Sequence, residues 1–66
     1  MKNRVRVARA EVRMTQQQLA DGVGVSRQTI HAIENGRFVP STLLALKIAR
    51  LFSLTVEELF QLEEED

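Results

Sequence analysis

The stretch GVGVSRQTIHAIENG, residues 22–36, holds the end of one predicted helix, a tight turn and a complete second helix. Gly24 suits the left-handed conformation that often ends a helix, and Ser26 is a good N-cap for the helix that follows. Val25 lies just before that cap and Ile30 four residues inside, as in a hydrophobic staple. A gap of about three residues between two helices is the spacing of a helix-turn-helix.

The same signals mark helix starts elsewhere in the chain. Thr15 with Gln18, and Thr55 with Glu58, have the spacing of capping boxes. Pro40 followed by serine marks another start, because the residue before proline avoids helical geometry. No segment alternates long enough to predict a strand. We therefore expect five helices, at about residues 3–13, 15–22, 26–34, 41–52 and 55–62.

Apolar residues recur at helical spacing in all five segments and define one expected core. They are Val5, Ala8, Val12, Leu19, Ala20, Val23, Ile30, Ile33, Ala45, Ile48, Ala49, Phe52, Val56, Leu59 and Phe60. Short connections, including the turn at Gly36, force consecutive helices to pack as neighbours. The sequence predicts an all-α fold, a compact five-helix bundle in a single domain 1–66, with a frayed acidic end at 63–66.

Composition narrows the class of protein. There are 66 residues, no cysteine and one histidine, so a thiolate metal site, a disulfide framework and a histidine cluster are not expected. No stretch approaches the ~20 apolar residues of a membrane span. Nor does any cluster of nucleophile, base or paired acids suggest an enzyme. We expect a cytoplasmic protein without cofactor, metal or small-molecule ligand.

The charges are strongly segregated although the formal net charge is zero. Residues 1–50 contain all nine Lys and Arg and three acids, a net charge of +6. Residues 51–66 contain six acids and no base, a net charge of −6. Such asymmetry indicates a polyanion-binding face better than the overall isoelectric point does.

The third predicted helix has a polar outer face. If Ile30 defines the buried side, Gln28, His31, Ala32 and Asn35 lie between about 100° and 200° around the axis. Arginine and glutamine can each make paired hydrogen bonds to base edges in a DNA major groove. Residues in the first turn of such a helix usually reach the bases, and the free N–H groups there suit phosphate.

The run TQQQLADGVGVSRQTIHAIENGR closely resembles the Cro/CI-type, XRE-like helix-turn-helix of lambda-repressor-like domains. The shared features are TQ, LA, GVS, I and ENG, all in register. The resemblance implies that helices 2 and 3 form a DNA-binding helix-turn-helix. The base-reading residues would be Arg27, Gln28, Thr29 and Ala32. The phosphate-binding residues would be Gln16, Ser26, His31, Asn35 and Arg37.

Some of these residues have simpler interpretations. His31 could be merely exposed, and Gln16 could be merely a good helix former. The resemblance also implies a structural ion pair between Arg9 and Glu34, which is favoured over DNA contact for these two. Two positions depart from the family pattern. Gly22 stands where a long polar residue is common, and it should weaken the end of the second helix. Arg13 stands where relatives often have a turn glycine.

The fourth helix has more apolar residues than one face can hold. The surplus predicts a homodimer interface formed by Leu43, Leu46, Leu51, Phe60 and Leu62. The alternative is a helix buried on all sides. The expected function is a sequence-specific, double-stranded-DNA-binding transcriptional regulator, a repressor, acting as a homodimer. The alternative function is a protein-interaction or antitoxin-like module with the same fold.

Overall fold

Five helices and one short pair of strands make up the fold, which a computed structural model describes over residues 1–66. In chain order they are β1 Lys2–Asn3, α1 Val5–Glu11, α2 Gln16–Val23, α3 Arg27–Glu34, α4 Thr42–Leu51, α5 Val56–Leu59 and β2 Phe60–Gln61. The predicted five-helix architecture is confirmed. None of these helices is both long and apolar enough to cross a membrane.

Side-chain caps fix where the helices begin. Thr15 and Thr55 each accept a hydrogen bond from the third helical N–H, and the side-chain oxygen at that third position accepts one from the N–H of the cap residue. Ser26 and Ser41 cap α3 and α4 in the simpler way, through the hydroxyl alone. Each bond satisfies a backbone donor that has no partner inside the helix. The predicted starts of these four helices are confirmed.

The turn between α2 and α3 depends on a left-handed glycine. Gly24 has φ 77°, and the N–H of Val25 donates to the carbonyl of Ala20 at 3.0 Å, which closes the end of α2. Gly36 has φ 74° after α3. Both glycines therefore adopt the conformation predicted for them. α2 and α3 pack against each other on either side of this turn.

The strands were not predicted from the sequence. β1 and β2 are antiparallel, with Lys2 opposite Gln61 and Asn3 opposite Phe60. As a result α1 begins at Val5 instead of residue 3, and α5 ends at Leu59 instead of residue 62. A two-residue pair is too short to show alternation, which is why the expectation of no strand was wrong.

The core contains thirteen buried residues. They are Val5, Ala8, Leu19, Ala20, Val23, Ile30, Ile33, Leu44, Ala45, Ile48, Ala49, Leu59 and Phe60. Val12 was predicted there but is 58% exposed, because it lies beyond the end of α1. Leu44 was missed, and Phe52 and Val56 are half-buried. α4 therefore buries most of the predicted stripe, at Ala45, Ile48 and Ala49, and adds Leu44 to it.

Gly22 has a packing role that the sequence did not reveal. A β-carbon at this position would lie 2.7 Å from Leu51 Cδ1, so glycine leaves room for the end of the Leu51 side chain of α4. Although glycine weakens a helix end, α2 continues to Val23, which is buried. The other unusual position, Arg13, has φ 55°, a left-handed geometry that glycine adopts at lower cost.

The two ends of the chain meet beside the strand pair. The Met1 amino group lies 2.9 Å from Asp66 Oδ2 and 3.1 Å from Glu63 Oε1. The N–H of Glu63 donates to the Asp66 carboxylate at 2.9 Å. Residues 63–66, for which the sequence predicts a frayed end, form a turn beside the Met1 amino group.

Candidate nucleic-acid interface

α3 presents a polar outer face and a fully buried inner one. Ile30 and Ile33 are 0% exposed and anchor the helix in the core. Four of the predicted DNA-contact residues of this helix and its C-cap are exposed: Arg27, Gln28, His31 and Asn35. Thr29 and Ala32 are half-buried, so either could offer only part of its surface to a base.

The start of α3 is held by its own hydroxyl groups. The N–H of Thr29 donates to Ser26 Oγ at 3.2 Å, and the two hydroxyl oxygens lie 3.0 Å apart. Ser26 and Thr29 thus have structural partners in addition to the DNA contacts predicted for them. The earlier N–H groups of the helix, at Arg27 and Gln28, point out of its end with no partner inside it, as an anion site requires.

The Glu34 carboxylate joins α1 and α2 to α3. Its side chain is 0% exposed. Arg9 donates to it from Nε at 2.8 Å and from Nη2 at 3.2 Å, and donates from Nη1 to the Met14 carbonyl at 2.8 Å. Gln16 Nε2 donates to the same carboxylate at 3.1 Å. This is the Arg9–Glu34 ion pair that the family resemblance implied.

The pKa of Glu34 reflects two opposing influences. Burial raises it, but hydrogen bonds from Arg9, Gln16 and Arg6, together with the charge of Arg9, outweigh burial and hold the pKa below its ordinary value. The same contact with Glu34 raises the pKa of Arg9, against the effect of burial. The pair is therefore ionised throughout the neutral range.

Three predicted phosphate-binding residues are linked to this ion pair. Asn35 Nδ2 lies 3.0 Å from His31 Nε2 and donates to the His31 carbonyl at 3.0 Å. Gln16 Nε2 lies 3.5 Å from His31 Nδ1. Gln16, His31 and Asn35 thus form one polar surface along α3 and the start of α2.

Arg6 completes this surface and was missed in the sequence. Its Nη2 donates to Asn35 Oδ1 at 3.0 Å and its Nε to Glu34 Oε1 at 3.5 Å. The available signal was its spacing, since Arg6 is three residues before Arg9 and so lies on the same side of α1.

The remaining predicted contact, Arg37, is exposed just after Gly36. Its side chain makes no hydrogen bond within the protein, while its N–H donates to the Ala32 carbonyl at 2.9 Å. Arg27 is likewise free of internal partners. Two uncompensated guanidinium groups therefore flank the outer face of α3. No group of three histidine or acidic side chains comes together as a metal ion would need.

The predicted dimer residues differ in how far the structure exposes them. Leu43 and Leu46 are 65% and 54% exposed and line an open groove of about 750 Å³ between α4 and the start of α5. Leu62 is 80% exposed. Phe60 is buried in the core as part of β2, and Leu51 packs half-buried against Gly22, so of these two only Leu51 keeps appreciable surface that a second subunit could reach.

Comparison with known proteins gives a consistent result. The family model described as Helix-turn-helix matches residues 5–59. "Uncharacterized HTH-type transcriptional regulator YgzD" of Bacillus subtilis (strain 168) is 53% identical over 66 residues, with 100% of both chains covered. "Uncharacterized HTH-type transcriptional regulator MJ0272" of Methanocaldococcus jannaschii is 47% identical, again with 100% of both covered. An HTH-type regulator of Archaeoglobus fulgidus is 47% identical over 100% of this chain and 94% of its own.

Proposed function

The chain belongs to the XRE-like, Cro/CI-type helix-turn-helix family of DNA-binding transcriptional regulators, which are not enzymes, and from this membership we propose a specific mode of action. The protein is a repressor that binds double-stranded DNA as a homodimer. Each subunit inserts α3 into the major groove and reads base edges with its first turn.

The exposed first turn of α3 is the observation that carries this proposal. Arg27 and Gln28 are both exposed and lie directly after the Ser26 cap, while the apolar side of the helix is fixed in the core. Arginine can donate two parallel hydrogen bonds to guanine, and glutamine can donate to and accept from adenine. Thr29 and Ala32, half-buried beside them, offer methyl groups to a thymine methyl.

Phosphate contacts would set the position of α3 in the groove. Gln16, His31 and Asn35 form a continuous polar surface, and Arg37 adds a free guanidinium beyond the end of α3. Contacts to phosphate fix register and carry no sequence information directly. With Ser26 and the open N–H groups at the start of α3, these residues give the protein its expected salt-dependent affinity.

The groove between α4 and α5 supports a homodimer. Leu43 and Leu46 project from α4 beside it, and such surface on a small domain commonly marks an interaction site. A two-fold dimer would place two copies of α3 about 34 Å apart, one turn of DNA, and would select a roughly palindromic site. A dimer seated there would repress by covering DNA that polymerase needs.

Selection from random duplex DNA tests the proposal. The purified protein should enrich an inverted repeat with half-sites about one turn apart. The double variant Arg27→Ala, Gln28→Ala should lose this preference while keeping its helical circular dichroism. Gln17→Ala is the matched control, because Gln17 is an exposed glutamine on α2 that bonds to Asp21 and has no predicted DNA role.

The alternative is a protein-interaction module of the same fold, favoured by the exposed Leu43 and Leu46. A folded protein that enriches no DNA site, and whose affinity for duplex DNA is unaffected by the double variant, would support this alternative and contradict the repressor. An enriched site that is not an inverted repeat would retain DNA binding and exclude the two-fold dimer.

A further inference from the structure

Arg6 is an exposed arginine that the protein nevertheless holds in one position. Its side chain is 58% exposed, yet Asn35 and Glu34 accept hydrogen bonds from it at 3.0 and 3.5 Å. Both partners belong to the C-terminal end of α3. Two partners at different atoms of the guanidinium restrict its orientation more than one would. The guanidinium is thus fixed in advance at the edge of the polar surface described above.

Charge balance leaves Arg6 as the site of an uncompensated positive charge. Glu34 supplies one negative charge, while Arg6 and Arg9 supply two positive ones. Arg9 is 17% exposed and directs all three of its nitrogens into the protein, so it is the partner that neutralises the carboxylate. The excess charge of this cluster lies on the exposed guanidinium of Arg6.

The unused donors of Arg6 match an anion. A guanidinium has five N–H groups, and Arg6 uses Nε–H and one Nη2–H internally, which leaves three. A planar pair of such donors can bind a phosphate in bidentate fashion. The anion expected beside α3 is the DNA backbone, since Asn35 and His31 lie in the same network.

We propose that Arg6 binds a backbone phosphate of the DNA, next to the one contacted by Gln16, and that Glu34 and Asn35 hold its guanidinium ready for that contact. This inference rests on the proposed function and extends it to α1. The two arginines of α1 that contact Glu34 would then have separate roles. Arg9 stabilises the fold, whereas Arg6 carries the exposed charge to the DNA.

The test is the salt dependence of binding to a random-sequence duplex, measured for the wild type and three variants. Arg6→Gln should lower the slope of log K against log salt by about 0.9 per subunit, the contribution of one phosphate. At about 0.1 M salt its affinity should fall about 5- to 10-fold. Arg6→Lys should keep the slope, because it keeps the charge. It should bind more weakly, because lysine lacks the planar pair of N–H donors of a guanidinium. Thermal melts should show all variants folded, because Arg9 still neutralises Glu34.

Arg4→Gln is the matched control. Arg4 carries the same charge, is exposed at the N-cap of α1, and its side chain bonds to neither Glu34 nor Asn35. Its removal should leave the slope unchanged. An unchanged slope for Arg6→Gln, or equal losses for both variants, would overturn the inference while leaving the proposed function standing. A wild-type protein that binds no duplex at all would overturn both.

Discussion

Glu34 is the residue through which three helices are joined. Its fully shielded carboxylate receives hydrogen bonds from Arg6 and Arg9 on α1 and from Gln16 on α2. No buried side-chain polar atom in the protein lacks a hydrogen-bond partner. A buried charge is tolerable only when it is paired and hydrogen-bonded in this way. The orientation of the outer face of α3 relative to α1 and α2 therefore depends on one ionised side chain.

This dependence predicts a loss of stability in acid. The pKa of Glu34 is lower in the folded protein than its ordinary value of 4.5, which approximates the unfolded chain. The stabilisation is therefore complete above 4.5 and is lost as the pH falls through the folded pKa. Urea unfolding should show the free energy of unfolding falling between about pH 5 and pH 3.

NMR gives an independent test of the same prediction. The side-chain carboxyl carbon of Glu34 should titrate with a midpoint below 4.5. Glu34→Gln should cost about 3 kcal/mol at neutral pH, because it leaves the Arg9 charge without its partner. A midpoint at or above 4.5, or a stability that does not change across this range, would contradict the role given to the carboxylate.

Gly24 offers a prediction about backbone geometry alone. Its φ of 77° is strained for a residue with a β-carbon, yet no atom lies within 4 Å of where that carbon would be. Gly24→Ala should therefore cost about 1 kcal/mol of unfolding free energy, all of it conformational. Gly24→Asn should cost less, because asparagine tolerates this region. Equal stability of all three proteins in urea would show that the turn does not need left-handed geometry.

At the scale of the element, α5 shows how much a cap contributes to a short helix. It spans four residues and begins with the capping box of Thr55 and Glu58. Thr55→Ala should lower the free energy of unfolding by about 1 kcal/mol and weaken any dimer that uses the groove beside it. Thr42→Ala is the control, because Thr42 follows the cap of α4 and should change stability by less than about 0.5 kcal/mol. Unchanged melting and dimer dissociation in Thr55→Ala would contradict both expectations.

Helix starts could be predicted from the sequence because caps and staples are local chemistry. Thr15, Ser26, Ser41 and Thr55 each bond within their own turn, so a few adjacent letters contain the whole signal. Helix ends and strands were harder to predict. The pairing of residues 2–3 with residues 60–61 joins opposite ends of the chain, and no local sequence pattern indicates it.

The candidate site could likewise be predicted only in part from the sequence. The exposed face of α3 follows from helical periodicity, and Gln28, His31 and Asn35 are exposed as that periodicity predicts. The network that joins Arg6, Asn35 and Glu34 depends on how α1 crosses α3, a tertiary arrangement that the spacing of charges does not specify. The burial of Phe60 could not be predicted for the same reason, because a surplus of apolar residues does not show which of them the neighbouring elements cover.

At the scale of the molecule, the formal net charge is zero, but positive and negative side chains lie in different parts of the protein. The acids of residues 57–66 lie in α5 and the final turn, where Glu63 and Asp66 face the Met1 amino group. The guanidinium groups of Arg6, Arg27 and Arg37 flank α3, whose own carboxylate is neutralised internally. DNA approaching α3 therefore meets local positive charge, which governs association more than the overall charge does.

The dimer proposal leads to a last prediction, on assembly. Leu43→Ser with Leu46→Ser should shift the protein from dimer to monomer in analytical ultracentrifugation and weaken its binding to an inverted repeat more than to a single half-site. Folding should be retained, because both leucines are more than half exposed. Val12→Ser is the matched control, since Val12 is 58% exposed but lies beyond the end of α1, away from the groove. A wild type that is monomeric at every concentration, a double variant that stays dimeric, or dissociation caused equally by Val12→Ser would each contradict the groove as the dimer interface.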